Sequence, residues 1–156
     1  PHKRVELLAQ AFNQLNLPLV IIGDGPELPR LKNMANSNIR LLGFQSDEKV
    51  AELLNKARGF VCAAEEDFGI GIVEAQAAGC PVIAYGKGGA AKIVQDGMSG
   101  LLFQEQTSCS LIEAVLQSER IKLNSKAAFE NAARFSSKRF RDEFSNYMEA
   151  AINSSR

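Results

Sequence analysis

The chain has 156 residues, which is enough for one domain with a hydrophobic core. Its 18 Lys and Arg residues balance 18 Asp and Glu residues, so the overall charge does not favour nucleic acid or an anionic membrane, both of which require a concentrated positive field. No apolar run approaches the roughly 20 residues of a membrane-spanning helix. The single histidine, His2, and three dispersed cysteines, Cys62, Cys80 and Cys109, form no metal motif and are typical of a reducing compartment.

Short apolar runs alternate with helical patterns along the whole chain. Five runs are apolar on both faces, as in the buried strands of a parallel sheet, namely residues 19–22, 39–42, 60–63, 81–84 and 101–103. Between and after them, apolar spacing and capping residues predict helices over residues 5–15, 26–35, 47–57, 70–78, 89–95, 111–116, 126–134 and 137–153. This alternation predicts an α/β fold with a Rossmann-like parallel sheet flanked by helices, in a single domain over residues 1–156.

The loops that follow the first four runs are the expected ligand-binding edge, because open α/β sheets bind ligands at the carboxyl ends of their strands. Each of these loops contains glycine, and they cover residues 23–27, 43–47, 64–71 and 85–91. The glycines either allow close backbone approach to a ligand or simply form tight turns. The sequence has neither the complete dinucleotide fingerprint nor a nucleoside-triphosphate loop, so a nucleotide would be held differently.

The stretch EEDFGIGIVEAQAAG, residues 65–79, places carboxylates on both sides of a predicted helix start. If the helix begins near Ile70, the N–H groups of residues 69–72 are unpaired donors suited to a phosphate. Glu66 then lies on the preceding loop and Glu74 about one turn inside the helix, where carboxylates could accept hydroxyl hydrogen bonds from ribose and hexose. The spacing fits a sugar nucleotide; the alternative is a solvated loop acid followed by a surface helix residue.

The same region resembles the donor-binding half of a retaining glycosyltransferase of the GT-B fold, in the family called group 1 or family 4. The signature E-x-F-G-x-x-x-x-E-A-x-A-x-G-x-P-V is matched by Glu66, Phe68, Gly69, Glu74, Ala75, Ala77, Gly79, Pro81 and Val82. PHKRVELLAQAF is similar to the lysine-bearing first helix of the family, and three other segments match in order. They are LVIIGDGPELPRL, IRLLGFQSDEKVAELL and GGAAKIVQDGMSGLLF.

The resemblance implies a role for each matching residue. Glu66 would face the transferred sugar, Glu74 the ribose hydroxyls, and Lys3 the diphosphate, with help from an arginine about five residues upstream that this sequence does not contain. Phe44 would lie at the base. The expected catalytic residues are Glu66 and Lys3, and the expected donor-binding residues are Lys3, Gly23, Gly25, Phe44, Glu66, Phe68, Gly69, Ile70, Gly71, Ile72 and Glu74. With these roles, Gln at position 66 should leave the affinity for a nucleoside diphosphate almost unchanged.

The resemblance also implies a two-domain enzyme, of which this chain is the donor-binding part. The N-terminal acceptor domain and the strand leading into residue 1 would lie outside the sequence, so the isolated chain is expected to be inactive. The expected donor is GDP-mannose or a UDP-sugar, and the expected acceptor is a glycan or lipid-linked sugar in the cytoplasm or at the inner face of the membrane. No cofactor and no metal are expected, because no D-x-D pair is present to hold Mg²⁺.

Two other functions remain open from the sequence. A sugar-nucleotide epimerase would need acid–base residues that the stretch does not show, and a non-catalytic sugar-nucleotide binding module need not keep Lys3, Glu66 and Glu74 together. We also expect the last helix to pack with Phe140 and Phe144 inward, with part of its apolar stripe exposed toward the second domain.

Overall fold

A computed structural model describes residues 3–121 and 123–154, and this part of the chain folds as alternating helices and parallel strands. The strands are β1 (Leu19–Ile21), β2 (Ile39–Leu41), β3 (Phe60–Cys62), β4 (Val82–Tyr85) and β5 (Gly100–Phe103). The helices are α1 (Val5–Leu15), α2 (Leu28–Met34), α3 (Asp47–Lys56), α4 (Ile70–Ala77), α5 (Gly88–Ile93), α6 (Ser108–Ile121), α7 (Ser125–Ala132) and α8 (Ser137–Ser154). A 3-10 turn, Ala133–Phe135, joins α7 to α8.

The predicted elements are confirmed in type and order, and every strand lies within one residue of its apolar run. The Ser46 hydroxyl accepts the Lys49 N–H at the start of α3, as the capping pattern predicted. Helix α6 is longer than its apolar stripe indicated. It begins earlier because the Thr107 hydroxyl accepts the Ser110 N–H, and its polar last turns lie on the surface.

The described strands pair in two groups, all of them parallel. One pair is β1–β2, and the other group is β3–β4–β5. A shared hydrophobic core joins the two groups, because α1 packs against both α2 and α6 over side chains from both sheets. The division has a visible effect on burial: β4 is buried along its whole length, whereas the equally apolar β3 is half-buried throughout.

A second core lies between α4, α5 and β4, and it contains a buried polar network. The amide of Gln76 donates to the Ser99 hydroxyl over 3.0 Å and accepts from the Asn131 amide over 2.7 Å. Asn131 also donates to the Ile93 carbonyl over 2.7 Å. Because these buried groups are paired, the network fixes α4 against α7 and the end of α5.

The prediction that α8 packs with Phe140 and Phe144 inward is wrong. These side chains are 68% and 54% exposed, and their rings stack on each other with centroids 5.9 Å apart. The chain turns to an extended conformation at Ser136, so the helix leaves the body of the domain and contacts mainly the preceding 3-10 turn. The apolar stripe is present as predicted, but the described residues provide nothing for it to pack against.

Two leucines on α6 test this description of the core. Leu111 is 0% exposed and Leu116 is 43% exposed. Leu111→Ala should lower the free energy of unfolding by about 2–5 kcal/mol, because it removes buried methyl groups and leaves a cavity. Leu116→Ala should cost less than about 1 kcal/mol. Urea denaturation of both variants measures the difference, and equal losses would contradict the placement of α6.

Candidate functional site

The loop after β3 is held in place by a close backbone contact with the start of α5. Residues Glu66 and Gly88 form a parallel bridge, and the Gly89 N–H donates to the Glu66 carbonyl over 2.5 Å. A Cβ on Gly89 would lie 3.0 Å from that carbonyl oxygen, and a Cβ on Gly88, whose φ is +60°, would collide with it. The two glycines therefore allow an approach that a side chain would prevent.

This contact fixes the backbone beneath a carboxylate that is paired with Lys3. The Lys3 Nζ lies 2.7 Å from Glu66 Oε1 and 2.9 Å from Oε2, so it donates to both oxygens. The Glu66 side chain is 20% exposed and that of Lys3 is 70% exposed. The structure thus brings the two expected catalytic residues into direct contact, although they are 63 positions apart in the sequence.

Cys62, the last residue of β3, completes the surroundings of this carboxylate. Its Sγ lies 3.8 Å from Glu66 Oε1, close enough for a weak hydrogen bond. Burial raises the pKa of the Cys62 thiol to about 11, and the nearby Glu66 charge adds to the effect. The group therefore stays a neutral thiol near pH 7 and acts as a donor to the carboxylate rather than as a nucleophile.

The segment carrying Lys3 is attached to the same edge through Arg4. Arg4 adopts a left-handed conformation with φ of 52°, which is uncommon for a residue with a side chain, and its guanidinium donates to Gln106 Oε1 over 3.4 Å. The Gln106 amide in turn donates to the carbonyl of Ala63 over 2.9 Å. Because Ala63 directly follows β3, the start of α1 is linked to the end of this strand.

Helix α4 begins beside the Glu66 loop. Gly69 precedes it in a left-handed conformation with φ of 67°, and its carbonyl accepts from the N–H groups of Ile72 and Val73 over 3.0 and 3.1 Å. The expectation that the Ile72 N–H is a free donor is therefore wrong, and the Ile72 side chain is buried in the core. Over the described residues, the N–H groups of Gly69, Ile70 and Gly71 find no protein acceptor.

Glu74 lies one turn into α4 and is exposed. Within the described residues its carboxylate forms no hydrogen bond or ion pair. Its position is nevertheless fixed, because the buried Gln76 two residues later anchors the helix.

The loops after β1 and β2 meet at the same edge of the fold. The Gly23 N–H donates to the Gly43 carbonyl over 2.8 Å, and the Asp24 carboxylate accepts from the Phe44 N–H over 3.1 Å. The Phe44 ring is largely exposed, as is that of Phe68 on the Glu66 loop. A Cβ on Gly23 or Gly25 would meet no atom within 4 Å, so this part of the edge is open.

Cavities elsewhere do not coincide with this edge. One of about 220 Å³, lined in part by Arg58, Gly59 and Pro81, lies at the amino ends of β3 and β4. Another of about 390 Å³ lies beside Phe135 and Phe140 where α8 departs. In the described part of the chain, no group of three or more His, Cys, Asp or Glu residues is arranged to hold a metal ion. None of the described helices is both long and apolar enough to span a membrane.

Comparison with known proteins identifies the family. The sequence profile described as glycosyl transferases group 1 matches residues 1–135. The chain belongs to this family. Its fold is that of the GT-B glycosyltransferases, so the resemblance inferred from the signature and the predicted fold class are both confirmed.

Curated relatives of this group 1 domain are longer than the chain. An uncharacterized glycosyltransferase of Methanocaldococcus jannaschii is 34% identical over 143 residues, covering 88% of this chain and 41% of the relative. A GDP-mannose-dependent alpha-mannosyltransferase of Corynebacterium glutamicum is 34% identical over 133 residues, covering 82% of this chain and 32% of the relative. The chain thus spans about two fifths or less of the length of these relatives.

Solved structures agree with the fold of the domain. Anabaena HepE, crystallised with UDP and glucose, is 27% identical with a TM-score of 0.75, and the match covers 100% of this chain and 46% of HepE. Sucrose-phosphate synthase from Thermosynechococcus elongatus is 22% identical with a TM-score of 0.85, covering 98% of this chain and 43% of that protein. The second likeness concerns the fold alone.

Several residues that position this site were not assigned to it from the sequence, Arg4 among them. Gly88 and Gly89 were visible only as part of a glycine-containing loop, Asp24 lay within another such loop, and Gln106 had no recognisable signal. Spacing could not reveal them because each acts on a distant backbone segment.

Gly88 and Gly97 form a matched pair for testing the backbone contact. Both have positive φ, +60° and +75°, but only Gly88 faces the Glu66 carbonyl, whereas Gly97 faces open space. Left-handed strain should cost each of Gly88→Ala and Gly97→Ala about 1–2 kcal/mol of stability, and Gly88→Ala should lose more because its Cβ collides with the Glu66 carbonyl. Only Gly88→Ala should also shift the amide NMR signals of residues 65–69. Unchanged signals in that variant would contradict the proposed support of Glu66.

Proposed function

We propose that this chain is the donor-binding domain of a retaining, metal-independent hexosyltransferase that uses a nucleoside-diphosphate sugar. The observation that carries the proposal is the contact between the Lys3 ammonium and the Glu66 carboxylate at the carboxyl end of β3. Beside it, at the start of α4, are N–H groups that have no acceptor among the described residues. A cation with backbone donors suits a diphosphate, and a carboxylate suits sugar hydroxyls.

The diphosphate would take the Lys3 ammonium and the N–H groups of Gly69, Ile70 and Gly71. The three N–H donors lie on one turn, at the positive end of the helix dipole of α4. Glu74, which is exposed one turn further along α4, would accept hydrogen bonds from the ribose hydroxyls.

The base and the transferred sugar would lie on either side of the diphosphate. The exposed Phe44 ring offers a face for the base, and the open backbone at Gly23 and Gly25 leaves room beside it. The Glu66 carboxylate would accept hydrogen bonds from the sugar, with Phe68 on the same loop. These five residues lie on the loops that follow β1, β2 and β3.

Transfer breaks the bond between the anomeric carbon and the diphosphate oxygen, and that oxygen keeps the electron pair. Lys3 and the three N–H groups would stabilise the charge that develops there, which is the role that preorganised donors play best in a site shielded from water. The acceptor hydroxyl then bonds to the anomeric carbon as its O–H bond breaks, and its proton passes to the departing diphosphate oxygen. The acceptor and any acid–base partner would be supplied by a second α/β domain, so the isolated chain should bind donor without turning it over.

Relatives suggest which donors to test first. One is named for its dependence on GDP-mannose, and HepE was crystallised with UDP and glucose. We therefore propose GDP-mannose or a UDP-sugar as donor, and a glycan or lipid-linked sugar as acceptor. The proposed location is the cytoplasm or the inner face of the membrane.

A thermal-shift screen of the chain with UDP, GDP and ADP and their sugars identifies the nucleotide. With that nucleotide, Glu74→Gln should lower the affinity for the nucleoside diphosphate and for the sugar-bearing donor tenfold or more. The reason is that charge-assisted hydrogen bonds to ribose, worth about 1.5–3 kcal/mol, are weakened in both complexes when a neutral amide replaces the carboxylate. Isothermal titration calorimetry gives the affinities, and Glu113→Gln on α6 is the matched control, since Glu113 is also an exposed helical glutamate. If the Glu74→Gln variant binds both ligands as tightly as the wild type does, Glu74 does not bind the ribose.

Nucleotide binding should not depend on a divalent metal. Lys3 and backbone donors meet the diphosphate charge in this proposal, and the described residues contain no group of three or more His, Cys, Asp or Glu residues arranged to hold a metal ion. Calorimetry in EDTA and in Mg²⁺ should give affinities within about twofold of each other. A loss of binding in EDTA, restored by Mg²⁺, would show that the charge argument is wrong.

A further inference from the structure

Lys3 and Glu66, to which the proposed function assigns different parts of the donor, neutralise each other in this structure. The ammonium donates to both carboxylate oxygens, over 2.7 and 2.9 Å, so two of its three N–H groups are taken by Glu66. The diphosphate and the sugar of the donor would need these same atoms. We propose that Glu66 is an intramolecular competitor of the diphosphate for Lys3, and that this competition promotes release of the nucleoside diphosphate product. The inference rests on the proposed function.

The two partners differ in how firmly they are held. The Glu66 side chain is 20% exposed, its backbone is fixed by Gly89, and Cys62 donates to one of its oxygens. The Lys3 side chain is 70% exposed and flexible. The carboxylate is therefore the fixed partner, and the ammonium is the group that moves between Glu66 and a bound phosphate.

The sugar decides which partner Lys3 takes. When the whole donor binds, sugar hydroxyls occupy the Glu66 oxygens and release the ammonium to the diphosphate. After transfer the nucleoside diphosphate has no sugar, so the Glu66 oxygens are free to take Lys3 back. The ion pair therefore weakens binding of the nucleoside diphosphate product more than binding of the sugar-bearing donor. This difference favours product release after each turnover.

The expected size of the effect is modest, because one partner is well exposed. Ion pairs of this kind change an equilibrium by up to about fivefold near physiological salt. Glu66→Gln removes the competitor while keeping the shape of the side chain. The affinity for nucleoside diphosphate should then rise about two- to fivefold, contrary to the unchanged affinity expected from the sequence.

The test is a double-mutant cycle measured by calorimetry, with UDP and GDP as probes and UDP-glucose and GDP-mannose as their sugar-bearing donors. Variants are Glu66→Gln, Lys3→Met and the double mutant. Glu65→Gln is the matched control, because it removes the same charge from the neighbouring exposed residue, for which no contact with Lys3 is found among the described residues. Thermal unfolding of each variant verifies that it is folded.

The proposal expects tighter nucleoside diphosphate binding in Glu66→Gln, no gain in Glu65→Gln, and no gain from Glu66→Gln when Lys3 is already Met. The preference for the sugar-bearing donor over the nucleoside diphosphate should fall at least about tenfold in Glu66→Gln. A gain that persists without Lys3, or an equal gain in Glu65→Gln, overturns the competition. If the wild-type chain binds a nucleotide and Glu66→Gln does not raise the affinity for nucleoside diphosphate, only the competition is overturned. If the wild-type chain binds none of the four probes, the proposed function and the competition are both overturned.

Discussion

The candidate site depends on the close contact between the Glu66 loop and the start of α5. Two successive loops follow the neighbouring strands β3 and β4, and Gly88 and Gly89 let their backbones meet where a side chain would not fit. This contact aims the Glu66 side chain and leads directly into Gly69, whose left-handed conformation begins α4. A carboxylate and a set of backbone donors are thereby placed side by side by main-chain geometry.

The Glu66 carboxylate, which the backbone places, is stabilised by the groups around it. A mostly buried carboxylate is costly unless it is paired, and at Glu66 the partners are the Lys3 ammonium and a neutral Cys62 thiol. Lys3 reaches it because Arg4 and Gln106 attach the start of α1 to the end of β3. The first helix therefore contributes to the site through its position as well as through its lysine.

Much of this arrangement could be read from the sequence, for identifiable reasons. Apolar runs on both faces mark strands of a parallel sheet, and the loops after them must share one edge, so the region of the site followed from the pattern. The pairing of Lys3 with Glu66 could not be predicted from the sequence, because it depends on how α1 packs and on the left-handed backbone of Arg4. An arginine in a sequence does not indicate a left-handed conformation. The occupied N–H of Ile72 depends on a tight first turn that spacing does not resolve. The apolar stripe of α8 was correctly seen, but a stripe does not show whether anything covers it.

The division of the strands into two groups has a consequence for the behaviour of the chain in solution. In the described residues, β1 and β3 each pair on one side only, and both consist of apolar residues. An apolar strand with an open edge presents a row of main-chain donors and acceptors that another extended segment can join. These two strands therefore carry main-chain groups whose pairing capacity is not used within the described residues, and an extended segment is the element that fits them.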